Sequence, residues 1–435
     1  MSCPKSGRYC VIGAGAAGLA AAKSILDVGC DQLVVYEQTD QVGGTWVYTD
    51  SVGSDHHGLP IHGSMYSGLW TNLPKEVMGF PGYEMPTQRR SYIHSSEVLE
   101  FMKSYAGNYH VVDYVKFEHL VEQVKPVGDG QWEVIVKVLK NSESTTNTFD
   151  YVLVCNGHYF DPAIPNFPGK DVFKGLQLHS HEYRKPDIFR DRSVLIVGSG
   201  PSGKDLTIAA SRQAQTVFFS HHVHEKLKNV TFPSNVVHVQ DIAKLHESEV
   251  EFTDGTRHAI DLILYCTGYR YSFPFLHRDC AIEVTDNRVN PLYKHILNIN
   301  HPTMAFIGIP YRVCTTIMFD LQSRFAIKFY SGGKSLPSKE EMLADLQADT
   351  ENRQKRGLSS RQAHMMGGEV QAVYYEDVAR TADVTPVPPI MARMHMHSER
   401  RRNEDLLKYR NDVFRVLDDN NFEVEYDESL DNRGE

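Results

Sequence analysis

The sequence predicts an α/β protein made of two doubly wound units, one set inside the other. Three observations carry this. Two Gly-x-Gly-x-x-Gly loops each join a short apolar run to a helical one, and two matching apolar runs end in Cys-x-Gly. The third is length: 435 residues are too many for one simple core.

The first unit opens with a buried strand at Arg8 to Ile12, followed by Gly13-Ala-Gly15-Ala16-Ala17-Gly18 and an alanine-rich helix to about Leu26. Gly13 permits the tight turn, Gly15 lets backbone approach a pyrophosphate, and Gly18 lets helix and strand pack closely. Ala16 and Ala17 begin a helix whose free N–H groups face the phosphates. The next strand, Leu33 to Tyr36, ends at Glu37, nineteen residues after Gly18, where an acid accepts hydrogen bonds from ribose hydroxyls. Lys5 and Arg8 before this apolar run imitate a signal peptide, but the glycine spacing assigns it to a nucleotide loop.

The pattern recurs in a strand at Ser193 to Val197, the loop Gly198-Ser-Gly200-Pro201-Ser202-Gly203, and a helix through about Ala210. Its second strand, Thr216 to Phe219, ends in Ser220-His221-His222 with no acid, and Lys226 and Lys228 follow. A carboxylate there would repel a 2′-phosphate, whereas Ser220 and His221 tolerate one, so this unit is expected to take NADPH. Asp150 to Gly157 and Asp261 to Gly268 close the units alike, each after a hairpin. The spans from 13 to 155 and from 198 to 266 are 142 and 68 residues, so the first unit carries about 74 more, mostly between Gly43 and about Gly107. An insertion of that size usually carries function.

The architecture expected is therefore two dinucleotide-binding Rossmann-like domains, the NADP domain inserted into the FAD domain. Residues 1–165 form the first FAD part and 166–268 the NADP domain. Residues 269–435 form the second FAD part with C-terminal helices, broken at Gly332-Gly333, Gly367-Gly368 and Pro386 to Pro389. Two such sites in one chain imply that a nicotinamide delivers hydride to a bound flavin, so the cofactors expected are FAD and NADPH.

Composition removes other classes. With 45 basic and 55 acidic residues, the net charge of -10 lacks the footprint of a nucleic-acid binder. Arg400 to Arg402, followed by Glu404 and Asp405, read as a solvated helix face. The seven cysteines show no pair spacing, which points to a reducing, cytoplasmic compartment. No run is long and apolar enough to span a membrane, and the acidic end from Asp427 to Glu435 offers no anchor. Twenty-one histidines include His56-His57, His221-His222-x-His224 and His395-x-His397, but none has structural-zinc spacing and no metal is expected. A homo-oligomer is the default for a large cytosolic enzyme.

Three uses of the flavin compete. A disulfide reductase needs a cysteine pair soon after Glu37; instead the chain has Gly43-Gly44-Thr45-Trp46 and no cysteine before Cys155. A non-catalytic redox sensor leaves the insertion unexplained. An oxygen-activating monooxygenase needs a dry pocket, an oriented nicotinamide and a neutral donor. Asn72, in Thr71-Asn72-Leu73-Pro74 of the insertion, is such a donor, able to donate and accept without titrating.

At these residues the chain resembles the flavin-containing monooxygenase family. That family's FxGxxxHxxx(Y/F) motif is matched by Phe173-x-Gly175-x-x-x-His179-x-x-x-Tyr183, just before the second glycine loop. Thr267-Gly268-Tyr269, Thr71-Asn72 and Asp320-Leu321-Gln322-Ser323-Arg324 also resemble family segments, over about Tyr9 to Pro388. The family often has arginine where this chain has His221 and His222. In its compact length it looks like insect members that N-oxygenate pyrrolizidine alkaloids.

The resemblance implies that NADPH reduces FAD and NADP+ stays bound. Dioxygen is then held as a C4a-hydroperoxyflavin, whose distal oxygen passes to a small tertiary amine or sulfide. Asn72 would be the catalytic positioning amide. Thr71 and Gln322 would lie at the cofactors, and Gly44, Thr45 and Trp46 are placed with the flavin loop. The alternative within enzymes is a Baeyer–Villiger monooxygenase acting on ketones, whose related motif ends in Trp where this chain has Tyr183.

Overall fold

The computed structural model describes residues 7–430; Cys3, Lys5 and residues 431–435 lie outside the described residues. The first unit is built on β1 (Tyr9–Ile12), α1 (Ala16–Asp27) and β2 (Leu33–Tyr36), then α2 (Ser95–Asn108) and β3 (Val115–Lys116). Next come a meander of β4 (His119–Pro126), β5 (Trp132–Val138) and β6 (Glu143–Phe149), and the closing strand β7 (Tyr151–Val154). The second unit runs through β8 (Leu176–His179), β9 (Ser193–Val197), α3 (Pro201–Ser211), β10 (Thr216–Ser220), β11 (Val236–Val239) and β12 (Leu262–Tyr265).

The chain then returns to the first sheet with β13 (Leu292–Tyr293), β14 (Leu297–Asn298) and β15 (Met304–Phe306). Four helices follow: α4 (Thr315–Tyr330), α5 (Lys339–Lys355), α6 (Gly368–Ala382) and α7 (Pro389–Glu404).

The first sheet has the order β13-β14-β15-β7-β1-β2-β3, and the second β11-β10-β9-β12-β8. β1 lies parallel between β2 and β7, with Ile12 opposite Tyr36 and Val154. β15 joins β7 in parallel, Met304 opposite Val152, so the second sheet interrupts the first in sequence while leaving it continuous in space. The central strands are buried on both faces, which is why they read as unbroken apolar runs. Each unit precedes its closing strand with a three-stranded meander, β4-β5-β6 and Ile242–Leu245/Glu249–Phe252/Arg257–Ala259, one strand more than the expected hairpin.

The two cores meet. Val77 and Tyr92 of the insertion, with Ile390, Met394, Tyr409 and Phe414 near the C-terminus, pack into the core of the second unit. An unforeseen hairpin, Asp412–Val416 with Phe422–Tyr426, supplies Phe414. The expected solvated face at Arg400 to Arg402 is only partly so: Arg401 turns inward to the buried Asp412 carboxylate at 2.8 Å. His179 and Tyr183 do not share a helix face, because β8 ends at His179 and the following residues form a turn. Among the described residues no helix is long and apolar enough to cross a membrane.

Five histidines, four of them buried and His158 half-buried, are held as neutral bases. Burial pulls His158, His179 and His395 down to about 4, and pulls down His295 and His364 as well. Val289 N–H donates to His364 Nε2 at 2.9 Å, so His364 carries its proton on Nδ1 and donates it to His295 Nδ1, also at 2.9 Å. Above the ordinary value of 6.5 both folded and unfolded chains hold these rings neutral. Below it only the unfolded chain takes up protons, so stability falls with pH at up to about 1.4 kcal/mol per unit for each ring. The melting temperature is expected to be flat above about pH 6.5 and to drop steadily toward about pH 4; a constant value between these limits contradicts it.

Candidate active site

Both glycine loops have the same construction. Gly13 and Gly198 take left-handed φ values of 103° and 104°, and a Cβ on either would come within 2.7 and 2.5 Å of the carbonyl oxygens of Cys155 and Cys266. A Cβ on Gly18 or Gly203 would sit 1.8 Å from the carbonyl of Gly13 or Gly198, so helix and loop touch backbone to backbone. α1 and α3 begin at Gly15 and Gly200 with no side-chain cap, leaving first-turn N–H groups at Ala16, Ala17, Ser202 and Gly203 without intrahelical partners. Pro201 takes the first helical position, where its missing donor is harmless. A Cβ on Gly200 would meet nothing within 4 Å, so that loop opens onto free space.

The Gly15 loop is backed by Gly44, whose Cα would lie 3.4 Å from a Cβ on Gly15. Gly43 N–H donates to Ala14 O, and Thr45 and Trp46 continue the short turn, half-buried. Glu37 is buried at the end of β2. Its Oε2 accepts from Ala14 N–H at 2.8 Å, and its Oε1 from the amide and hydroxyl of Thr39 at 2.8 and 2.9 Å. Oε1 is thereby filled, and Oε2 retains a lone pair for a ribose hydroxyl. Two uncapped helix starts, each behind a loop whose first and third glycines have no room for a side chain, fit two pyrophosphates. FAD fits at the Gly13–Gly18 loop beside Glu37, and NADPH at the Gly198–Gly203 loop.

The Thr71-Asn72 step lies where the units meet: Leu73 packs against the cores of both. Thr71 is buried, exchanging backbone and hydroxyl hydrogen bonds with Ile93 at 2.9 and 3.1 Å. The Asn72 carbonyl accepts from Ser398 Oγ at 3.5 Å, while its side-chain amide has no protein hydrogen-bond partner among the described residues. A half-buried amide held by its backbone and open at its side chain is available to a ligand.

Two arginines that sequence reasoning missed hold the insertion that carries this step. Arg410 donates to Thr71 O at 2.8 Å and to the Asp205 carboxylate of α3 at 2.6 Å, joining the Asn72 segment to the second nucleotide helix. Burial lowers the Arg410 pKa, and the neighbouring Asp205 more than reverses this, so it remains a cation. Among the described residues Arg184 has no carboxylate partner. Its guanidinium bonds only backbone carbonyls, those of Ser51, Gly63, His181 and Tyr183, and so pins the insertion to the segment after β8. Arg184 stands next to the motif's Tyr183, the one sequence signal for it; Arg410 has none.

Arg410→Met is expected to lower the maximal oxygenation rate about tenfold or more, as misplacement of a positioned group does, with flavin content unchanged. Steady-state kinetics beside flavin absorbance check this; a parental maximal rate refutes the positioning role.

At three of the expected contact residues the side chains have partners within the protein. Ser220 is buried and its hydroxyl donates to Gln240 O at 2.9 Å, while buried His221 pairs through Nε2 with His238 Nδ1 at 3.0 Å. Both side chains are used in joining the end of β10 to the β11 region; the exposed member is His222, paired with Asp241 at 2.8 Å. Gln322 is fully buried in α4. Its Oε1 accepts from Gly308 N–H at 2.8 Å and its Nε2 donates to Tyr374 Oη at 2.7 Å, so it shapes the turn after β15. Cys155 and Cys266 are buried and burial pushes both thiols up, so neither is nucleophilic at neutral pH.

The family model for flavin-binding monooxygenase-like proteins matches residues 6–242 and 221–397. Senecionine N-oxygenase of Tyria jacobaeae is 31% identical over 423 residues, covering 96% of this chain and 92% of that protein. The Arabidopsis thaliana flavin-containing monooxygenase FMO GS-OX4 is 37% identical over 390 residues, covering 85% and 83%. Among solved structures, S-allyl-L-cysteine S-oxygenase from Allium sativum superposes with a TM-score of 0.88 at 33% identity, over 95% of this chain and 96% of that one.

Proposed function

The chain belongs to the flavin-binding monooxygenase-like family, and from that premise we propose that Asn72 is its catalytic positioning amide and that its substrate is a tertiary amine of the pyrrolizidine-alkaloid kind. The protein is an NADPH- and O2-dependent flavin monooxygenase that oxygenates nitrogen or sulfur in small molecules. FAD supplies oxygen activation and NADPH the hydride. The chain's own residues bind, orient and exclude water.

The Gly13–Gly18 loop, Gly44, Thr45, Trp46 and Glu37 would hold FAD. The Gly198–Gly203 loop with Pro201 and Ser202 would hold NADPH, with Ser220 and His221 shaping the ribose side from within and His222 facing outward. Thr71 anchors Asn72, whose unpartnered amide at the junction of the two cores is the observation that carries this reading. It would hydrogen-bond the nicotinamide side and the transferring oxygen without moving a proton itself.

The alkaloid assignment is supported by the 96% coverage against senecionine N-oxygenase. We propose domain boundaries at 165/166 and 268/269, a homo-oligomer, and a cytoplasmic location, the last supported by cysteines without pair spacing.

Product analysis tests the substrate. With NADPH and air, senecionine is expected to be converted to its N-oxide faster than S-allyl-L-cysteine is converted to its sulfoxide, and cyclohexanone to yield no lactone. A sulfoxide preference replaces the alkaloid by a thioether; lactone as the main product replaces the reaction class.

A further inference from the structure

We infer that His56, His57 and Glu118 form a transition-metal site that fastens the 51–63 segment to the flavin unit. The inference does not depend on the substrate proposed above. The two histidines occupy a turn closed by Asp55, whose carboxylate accepts the amides of His57 and Leu59 at 2.8 and 2.9 Å. Glu118 lies in the tight connection between β3 and β4 at a left-handed φ of 57°. Its amide donates to Thr39 O at 3.0 Å and its carbonyl accepts from Leu139 N–H at 2.8 Å. Both segments are thus fixed through their backbones, and their side chains converge.

One ligand atom from each of the three residues lies within 4.8 Å of the others. His57 Nε2 and Glu118 Oε1 are 3.5 Å apart. That is longer than a good hydrogen bond and close to the roughly 3.4 Å that separates two ligands on a tetrahedral zinc ion with bonds near 2.05 Å. His57 Nε2 is shut off from solvent and has no hydrogen-bond partner. The other carboxylate oxygen of Glu118 is held by Lys140 at 2.7 Å, which leaves Oε1 turned to His57.

Two imidazoles and one carboxylate, with His56 on the solvent side, make a three-ligand set with room for water. That set suits Zn2+ or Co2+ over Mg2+ or Ca2+, which prefer oxygen. The site is one short turn from the ribose acid, since His119 N–H donates to Glu37 O at 2.9 Å. A bound ion would tie the insertion to the turn beside Glu37, and so slow the loss of FAD.

The test uses the FAD-loaded protein, titrated calorimetrically with ZnCl2 and followed in the visible spectrum with CoCl2. One ion per chain is expected. His57→Ala and Glu118→Gln should each weaken binding by about tenfold or more, on the scale of losses at the outer shell of metal sites. Lys140→Gln, a surface change, should tighten it by removing a competing cation. Zn2+ should slow FAD release in the parent and not in Glu118→Gln. No uptake by the parent at submillimolar ZnCl2 overturns the site and leaves a His–Glu contact only. Equal affinity in parent, His57→Ala and Glu118→Gln, or weaker binding in Lys140→Gln, also overturns it.

Discussion

Asn72→Ala is expected to cut product formation at least about 100-fold, the usual loss when one preorganised donor is removed from a reacting oxygen, while the protein keeps its flavin. The backbone that holds the step does not depend on this side chain. Thr71 is bonded to Ile93 and Arg410, and Asn72 meets Ser398 through its carbonyl. The substitution therefore removes an amide that no protein group uses among the described residues, and folding should be little affected. NADPH oxidation with release of hydrogen peroxide in place of oxygenated product is the signature expected. An oxygenation rate equal to the parent's refutes the role given to Asn72.

The two glycine loops permit a sharper experiment, because the same substitution in each should remove a different cofactor. In Gly18→Ala the new methyl would lie 1.8 Å from Gly13 O, and in Gly203→Ala 1.8 Å from Gly198 O. In both cases the obstacle is backbone, so no flexible side chain can yield. The helix must move off its strand, at a cost at or beyond the roughly 1–3 kcal/mol of ordinary overpacking. Gly18→Ala is expected to purify without FAD. Gly203→Ala is expected to purify yellow, to be reduced by dithionite, and to be reduced by NADPH at least about tenfold more slowly, as a displaced binding loop implies. Flavin content and stopped-flow reduction read the two losses separately. If Gly203→Ala loses FAD and retains NADPH reduction, the assignment of the loops is reversed.

These loops were legible in the sequence because each glycine answers a local demand, a positive φ at Gly13 and Gly198 and backbone contact at Gly18 and Gly203. The nested order was legible from the repeated closing strands, and β15 beside β7 matches it. The partners of Ser220 and His221 in the β11 region were not legible, because strand position does not reveal which way an end residue turns. Those of Gln322 were hidden too, in a helix that buries most of its residues. Arg184 and Arg410 stayed hidden since most of their partners are backbone carbonyls far along the chain, which leave no mark in residue type. The acceptors of Arg410 are Trp70, Thr71 and Asp205, brought together only when both units are folded.

The most direct measurement is isotopic. With NADPH, a tertiary amine and 18O2, the protein is expected to place one labelled oxygen atom in each N-oxide, with product approaching one for each NADPH consumed. Unlabelled product, or NADPH oxidised to yield only labelled hydrogen peroxide whatever amine or sulfide is supplied, would contradict monooxygenation by this chain.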